Sequence, residues 1–282
     1  MDPEKPMGLP DYHTHTARCG HAVGTPAEYV AAARAAGLTG LGVADHIPLL
    51  PDPDPVLSMS LEELDAYVRE VEELKGAYPG YVLLGIEADY RPHTVAQVSD
   101  LLAEYPFDYV IGSVHHLGDW GFDDPRQLAG YETRDIDALW AEYLELVGDA
   151  AESGLFTILG HLDLLKKFGY RPSQRVAKQW ERLVARLAKT DVVVEINTAG
   201  LHRPVAEVYP ALEVLQQLRL AHVPVTFGSD AHHPGEVGRD FDRALELAWL
   251  AGYRDFVVFD GQPGGGRAGR RLAPLPAVGP RP

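Results

Sequence analysis

Short apolar runs alternate with helix-like stretches along most of the chain, and this alternation constrains the fold more than any other feature. Strands that alternate with helices are typical of parallel β/α units. Seven or eight such units in 282 residues predict a closed α/β barrel rather than an open sheet. The β-branched and aromatic runs predicted as strands are residues 41–44, 81–86, 109–111, 156–159, 192–196, 223–227 and 256–259.

Helix-start signals fall between these runs. Thr25 and Ser60 each have Glu three residues later, which is the pattern of a capping box. The helix that follows Ser60 is predicted to end at about Ala77. Further helices are predicted over residues 138–153, 174–189, 205–220 and 240–251.

This pattern predicts one folded domain with a tail. We expect the barrel to occupy residues 1–260, since no linker interrupts the alternation. Residues 261–282 are rich in Gly, Pro and Arg, and we expect them to be loose. The Pro- and Asp-rich loop over residues 48–59 is a candidate cover for an active site.

Composition excludes several classes of protein. The formal net charge of −16 should repel nucleic acids and anionic membranes, so we expect neither as a partner. An anionic substrate would then need local positive charge at the binding site, and bound metals are the obvious source of it. A single cysteine, Cys19, rules out an intramolecular disulfide and fits a reducing cytoplasm. No apolar run is long enough to predict a membrane span, and the first ten residues do not resemble a signal peptide.

Metal-binding side chains recur where the predicted strands end. The carboxyl ends of barrel strands meet on one face, and that face carries the active site. Each residue alone has an ordinary explanation, such as a helix cap for Asp45 and His46 or a buried ion pair for Glu87. Coincidence at seven successive strand ends is not credible. The residues concerned are Asp11, His13, His15, His21, Asp45, His46, Glu87, His115, His116, His161, Asp163, Glu195, Asp230 and His232.

The donor set indicates which metals to expect. Imidazole and carboxylate together suit Zn, Fe or Mn. His13 and His15 lie two apart on a predicted strand, so their side chains face the same way, as do those of Asp230 and His232. Cys19 could be a ligand, but its lone position favours a small buried residue.

These residues resemble the PHP (polymerase and histidinol phosphatase) superfamily. The resemblance rests on His13-Thr14-His15, His21, Asp45-His46, Gly85-Ile86-Glu87, Gly112-Ser113-Val114-His115, Gly160-His161-Leu162-Asp163 and Ser229-Asp230-Ala231-His232. It implies a distorted (β/α)7 barrel of the TIM type that binds up to three divalent transition metals. The runs Gly-Ser-Val-His-His and Glu-Ile-Asn-Thr-Ala-Gly-Leu are similar to the monofunctional histidinol-phosphate phosphatases. That branch hydrolyses L-histidinol phosphate to L-histidinol and phosphate in histidine biosynthesis.

The resemblance also implies a distribution of ligands among the metals. The first metal would be held by His13, His15, Glu87 and Asp230. The second would be held by His21, His46 and His161. The third would be held by Glu87, His115 and His232, with Glu87 bridging two metals.

We hypothesise in-line attack on phosphorus by a hydroxide that bridges two metals, without a phospho-enzyme. Arg203 is the first choice for a cation that stabilises the phosphate, and Asp163 or His202 is the predicted acid for the leaving alkoxide. Asp11, Asp45 and Asp163 are predicted to orient imidazoles or to handle protons. The other predicted phosphate-binding residues are Arg18, His116, Lys166 and Lys167.

Other functions remain open at this point. Another PHP phosphoesterase would act on nucleotides or oligonucleotide ends, although the acidic composition disfavours it. A metal-dependent amidohydrolase would also have a barrel and a His-x-His pair, but with a different order of ligands. A non-catalytic binding protein would not need so complete a set. We expect a small phosphomonoester as the partner, and a homo-oligomer is compatible with the sequence.

Overall fold

The computed structural model describes residues 8–51, 54–261 and 267–277. Its strands are β1 (Leu41–Val43), β2 (Val82–Asp89), β3 (Tyr109–Ser113), β4 (His116–Leu117), β5 (Trp120–Gly121), β6 (Ile158–Leu159), β7 (Val193–Asn197), β8 (Val225–Gly228), β9 (Asp255–Asp260) and β10 (Gly269–Pro274). Its α-helices are α1 (Pro26–Ala35), α2 (Leu61–Ala77), α3 (Val95–Ala103), α4 (Ile136–Glu152), α5 (Ala177–Leu187), α6 (Leu212–Leu220) and α7 (Phe241–Ala251).

Six of the strands form one parallel sheet in the order β1-β2-β3-β6-β7-β8. Residues 11–14, which precede β1 in the chain, connect the two edges of this sheet. Gly42 donates to the carbonyl of Asp11 on one side at 2.8 Å, and Tyr12 donates to the carbonyl of Phe227 on the other at 3.2 Å. Parallel bridges of Asp11 with Leu41 and of Thr14 with Ala231 complete the join. The α/β barrel predicted from the sequence is therefore confirmed.

The helices follow the predicted start signals closely. Ser60 accepts from the backbone of Glu63, and the Glu63 carboxylate accepts from the backbone of Ser60, so the capping box of α2 forms in both directions. Residues 205–211 were predicted to be helical, but α6 begins only at Leu212. The reason is that the N–H and C=O of Tyr209 bond to Asn197 in an antiparallel bridge, and Pro210 has no N–H to donate.

The last predicted strand does not join the parallel sheet. β9 pairs antiparallel with β10, which lies within the residues predicted to be a loose tail. The predicted boundary after residue 260 is therefore misplaced with respect to residues 267–277, while residues 262–266 and 278–282 lie outside the described part. Val257 and Phe259 of this hairpin pack against Tyr12 and Tyr109 inside the barrel. Because Tyr109 begins β3, the hairpin closes the end of the barrel where the strands start.

Among the described residues, no helix is both long enough and apolar enough to cross a membrane.

Candidate metal centre

Glu87 on β2 is the centre of a dense cluster at the opposite end of the barrel. Its side chain is 1% exposed, and Ser113 donates to one of its oxygens. Asp230 approaches from the β8 side, with its Oδ1 3.3 Å from Nε2 of His15. Five imidazole nitrogens lie 3.1 to 3.6 Å from the two Glu87 oxygens, and they belong to His13, His15, His46, His115 and His161.

Four imidazoles of the site, those of His13, His21, His115 and His232, have Nδ1 held by a group that can only accept a hydrogen bond. Nδ1 of His13 lies 2.7 Å from a carboxylate oxygen of Glu195, and Nδ1 of His115 contacts Asp89. Nδ1 of His21 and of His232 lie 3.0 and 2.9 Å from the carbonyl oxygens of Cys19 and Asp230. An imidazole that donates through Nδ1 presents the lone pair of Nε2. These rings are therefore set to coordinate a metal through Nε2.

The same cluster is unfavourable without a cation. His15 is fully buried, and neither of its ring nitrogens has a hydrogen-bond partner among the described residues. Its ring stacks on those of His46 and His232, with centroids 4.4 Å from each. Protonating all the rings would crowd like charges, while neutral rings would point lone pairs at the carboxylates. A metal ion between the nitrogens and Glu87 resolves both problems, so the donor set fits bound metals.

Burial and the neighbouring carboxylates shift the pKa values of the candidate ligands in opposite directions. Burial lowers the pKa of His46 well below its usual range and that of His232 to about 3, so both rings are neutral. Burial alone would raise the pKa of Glu87, but the surrounding imidazoles outweigh it and hold the pKa well below its usual range. Burial alone would lower the pKa of His13 and His115, but nearby carboxylates outweigh it and raise the pKa of His13 well above its usual range and that of His115 to about 9. Glu87 is therefore charged, and a bound metal would displace the protons of those two rings.

The structure groups the candidate ligands in sets that differ from the predicted ones. The ligand atoms of His21 and His46 lie close to those of His232, and not as a set with His161. His161 instead joins Glu87 and His115. His13 and His15 share Glu87, and His13 also forms a group with Asp230 and His161. The predicted places of His161 and His232 must be exchanged, because the turn after β8 places His232 beside His15 and His21.

Two candidate ligands occupy strained backbone conformations. Asp230 has φ 54° and His161 has φ 24°, values that non-glycine residues rarely adopt. Gly228 shows how tightly the site is packed, because a Cβ there would lie 1.9 Å from Glu195 and 2.6 Å from Cβ of His13. Strain and close packing of this kind are typical of functional sites.

A cavity of about 440 Å³ opens over the cluster. Leu49 and Leu57 from the loop predicted to cover the site form part of its wall. Lys167 and Arg203, both predicted to bind phosphate, are the basic residues among the described ones that line it. His116, predicted for the same role, also lines it, with Nδ1 2.9 Å from Asp89.

Two other predicted phosphate-binding residues do not line the cavity. Arg18 donates to Glu70 at 2.6 Å, on the outside of the site. Lys166 is buried and contacts Asp163 at 2.8 Å and Glu207 at 2.6 Å. Since their charges are already compensated by carboxylates, neither side chain is free to meet a phosphate.

The predicted acids and proton handlers also have other partners. His202 contacts Asp240 at 2.6 Å outside the cavity lining. Asp163 accepts from the backbone of Ala211 and pairs with Lys166. Neither is placed to protonate a leaving group in the cavity.

Asp11 and Asp45 hold backbone segments rather than imidazoles. Asp11 accepts from Ser229, through both its N–H and its hydroxyl, and from the N–H of Gly238. Asp45 accepts from the hydroxyl of Thr16 at 2.6 Å. The two carboxylates therefore connect the loops that carry the candidate ligands, and the hydrogen bonds of Asp11 among the described residues go to backbone N–H groups and the Ser229 hydroxyl.

Asp89 and Tyr209 lie near the candidate ligands and were not predicted, while Glu195 was predicted as a strand-end side chain without a stated role. Asp89 and Glu195 lie on β2 and β7 and hold the rings of His115 and His13. Both follow the same alternation as the predicted ligands, since Asp89 lies two residues after Glu87 and faces the same way. Tyr209 also lines the cavity, and only its bridge to Asn197 brings it there.

Comparison with known proteins places this geometry in a family. A model of the PHP domain matches residues 11–199. The chain belongs to the PHP domain family. A PHP relative from Deinococcus radiodurans, named "Probable histidinol-phosphatase", is 45% identical over 85% of this chain and 92% of that protein. The "Histidinol-phosphatase" of Bacillus subtilis is 26% identical over 84% of this chain and 98% of its own length.

The PHP fold is also found in a solved structure. The histidinol phosphate phosphatase of Lactococcus lactis, crystallised with zinc, L-histidinol and phosphate, superposes with a TM-score of 0.77. The match covers 89% of this PHP chain and 97% of that one at 22% identity. This likeness confirms the predicted PHP barrel.

Proposed function

We propose that this protein hydrolyses L-histidinol phosphate to L-histidinol and phosphate, and that its site holds up to three divalent transition metals. The observation that carries the proposal is the clustering of three ligand groups, two of which contain Glu87, beneath a cavity that Arg203 also lines. The 45% identical Deinococcus relative is named for this activity. The oligomeric state and a cytoplasmic location stay predictions from the sequence.

The residues divide into three proposed metal positions, two of which share Glu87. When bound, such metals supply a nucleophilic water of lowered pKa and neutralise the charge of the phosphate. Zn, Fe and Mn all suit these donors. The first position is formed by His13, His15, Glu87 and Asp230, the second by His21, His46 and His232, and the third by Glu87, His115 and His161.

Arg203 is the proposed phosphate-binding cation of this chain. It lines the cavity, and its side chain has no ion pair or hydrogen bond among the described residues. A planar guanidinium that faces a cavity without a partner can donate hydrogen bonds to two oxygens of a phosphate at once. Lys167 adds a second charge but is partly compensated, because its Nζ lies 3.2 Å from a carboxylate oxygen of Asp123.

The rest of the cavity suits a cationic alcohol. Asp123, Asp124 and Glu236 line it, and each also contacts a basic side chain, namely Lys167 at 3.2 Å, Arg126 at 2.8 Å and Arg239 at 2.9 Å. Carboxylates of this kind attract the ammonium group of an amino alcohol and repel the additional phosphates of a nucleotide. We therefore propose the amino-alcohol ester rather than a nucleotide as the substrate.

The decisive test is release of phosphate from L-histidinol phosphate, AMP, p-nitrophenyl phosphate and a short oligonucleotide, with and without a chelator. We expect strong preference for L-histidinol phosphate, loss of activity with the chelator and recovery with added metal. Preference for AMP or the oligonucleotide would instead assign the protein another phosphoesterase activity of the family. Metal-loaded protein that releases phosphate from none of the four would contradict the proposal.

A further inference from the structure

Tyr209 has a buried hydroxyl that nothing in the described structure satisfies. Its side chain is 1% exposed and lines the cavity, and its hydroxyl oxygen has no hydrogen-bond partner among the described residues. Buried polar groups are almost always paired, and one left unpaired at a cavity wall calls for a ligand.

The ring is held rigidly from three sides. The backbone of Tyr209 exchanges hydrogen bonds of 2.7 and 2.9 Å with Asn197, at the end of β7. Nζ of Lys166 lies 5.3 Å from the ring centroid, and this lysine is itself fixed by Asp163 and Glu207. The ring also meets that of His161 edge-on, with centroids 6.4 Å apart. The hydroxyl is therefore fixed in position relative to the candidate metal ligands.

The chemistry of the surroundings identifies the missing partner. A phenol has an ordinary pKa near 10, so at neutral pH its hydroxyl carries a proton and can donate. Arg203 lines the same cavity and is close enough to interact electrostatically with Tyr209, and its side chain has no ion pair or hydrogen bond within the described part of the chain. An unpaired cation beside an unpaired donor is an arrangement suited to an anion.

We propose that the Tyr209 hydroxyl donates a hydrogen bond to a non-bridging oxygen of the bound phosphate, on the side that Arg203 faces. This inference rests on the proposed function in that it assigns a phosphate to the cavity. It does not depend on which alcohol the phosphate esterifies.

Tyr209→Phe tests it, because the change removes only the hydroxyl. Binding of inorganic phosphate to the metal-loaded protein is measured by calorimetry, and metal content is measured beside it. A hydrogen bond to a charged acceptor implies phosphate affinity weaker by about tenfold to a hundredfold. Tyr81→Phe is the matched control. The Tyr81 hydroxyl is also buried without a partner, but it lies at the hairpin end of the barrel, so we expect no change in phosphate affinity.

Binding of L-histidinol separates this role from others. The proposal expects its affinity to stay the same in Tyr209→Phe. Weaker L-histidinol binding with unchanged phosphate binding would overturn the proposal and assign the hydroxyl to the alcohol. Unchanged affinity for both ligands, an equal loss of both, or a phosphate loss that Tyr81→Phe reproduces would also overturn it. If the wild type releases no phosphate from L-histidinol phosphate but Tyr209→Phe still weakens phosphate binding, the substrate assignment fails and this inference stands.

Discussion

Nδ1 of His13 lies 2.7 Å from Oε1 of Glu195, and both side chains are buried. The second oxygen of Glu195 accepts from the backbone of His161 at 2.9 Å and from the amide of Asn197 at 3.0 Å. Glu195 on β7 therefore fixes the proton of His13 on Nδ1. It also supports the strained backbone of His161 after β6. Contacts of this kind orient metal ligands without touching the metal.

Glu195→Gln should weaken metal binding without removing a candidate ligand. The amide cannot hold the His13 proton as a carboxylate does, so we expect affinity to fall by about tenfold to a hundredfold. Competition with a chromogenic chelator measures this directly. Glu213→Gln, at an exposed position on α6, is the control and should bind metal as the wild type does. Wild-type affinity in Glu195→Gln would contradict the positioning role.

Arg203→Met should impair turnover while leaving the metals in place. Loss of a donor that faces developing charge typically lowers the rate by about a hundredfold to a thousandfold. We expect a loss of that size in kcat/KM at unchanged metal content, measured by steady-state kinetics and elemental analysis. Arg243→Met on the exposed side of α7 should retain wild-type kinetics. An active Arg203→Met enzyme would exclude Arg203 as the phosphate-binding cation.

Lys166→Met should destabilise the fold. The change leaves Asp163 buried without its cation, and breaking a buried ion pair from one side costs about 3–5 kcal/mol. Urea denaturation of the metal-free protein gives the free energy of unfolding. Arg171→Met removes an exposed contact to the same Glu207 and should cost less than about 1 kcal/mol. Equal losses in the two variants would show that burial of the pair is unimportant.

Glu207 should contribute to stability in a pH-dependent way. Burial alone would raise its pKa, but Lys166 and Arg171 outweigh burial and lower it below its ordinary value. A depressed carboxyl pKa stabilises the fold above the unfolded value, and that contribution is lost as pH falls through the folded value. Glu207→Gln should therefore be less stable than the wild type at pH 7, and the difference should shrink below about pH 4.5. A difference that is constant with pH in urea denaturation would contradict this.

Phe259→Ala should weaken the closed end of the barrel without reaching the site. Phe259 is buried against Tyr12 and Tyr109, and deletion of a buried aromatic ring costs about 3–5 kcal/mol. Leu272→Ala on the partner strand β10 removes an exposed side chain and should be nearly neutral. Metal affinity of both folded variants should equal that of the wild type. Similar stability in the two variants would mean that the hairpin does not close the core.

Local features explain why most of the elements were predictable. The capping box of α2 needs only Ser60 and Glu63, which lie three residues apart. It therefore sets the start of the helix without long-range contacts. The buried strands are likewise readable, because a continuous apolar run reflects burial on both faces. The polar side chains at the strand ends were predictable too, because they directly follow these apolar runs.

Long-range pairing explains the errors in the fold. Residues 205–211 look helical, yet Tyr209 pairs with Asn197, so the backbone bonds that a helix would need are used elsewhere. Residues 269–274 look like a loose tail, yet they pair with β9. Neither partner can be identified from the segment itself.

The amino-acid sequence by itself determined the barrel class and the strand ends at which polar side chains gather, because each depends on periodicity and residue type within a short stretch. The choice of nine candidate metal ligands among those side chains came from the resemblance to the PHP superfamily. Only the tertiary structure decided that His232 belongs with His21 and His46, and that His161 belongs with Glu87 and His115. It also decided that Lys166 pairs with Asp163 while Arg203 faces the cavity. The physical reason is that the closing of the sheet and the paths of its loops fix which side chains meet, and those distances are not encoded at any single position.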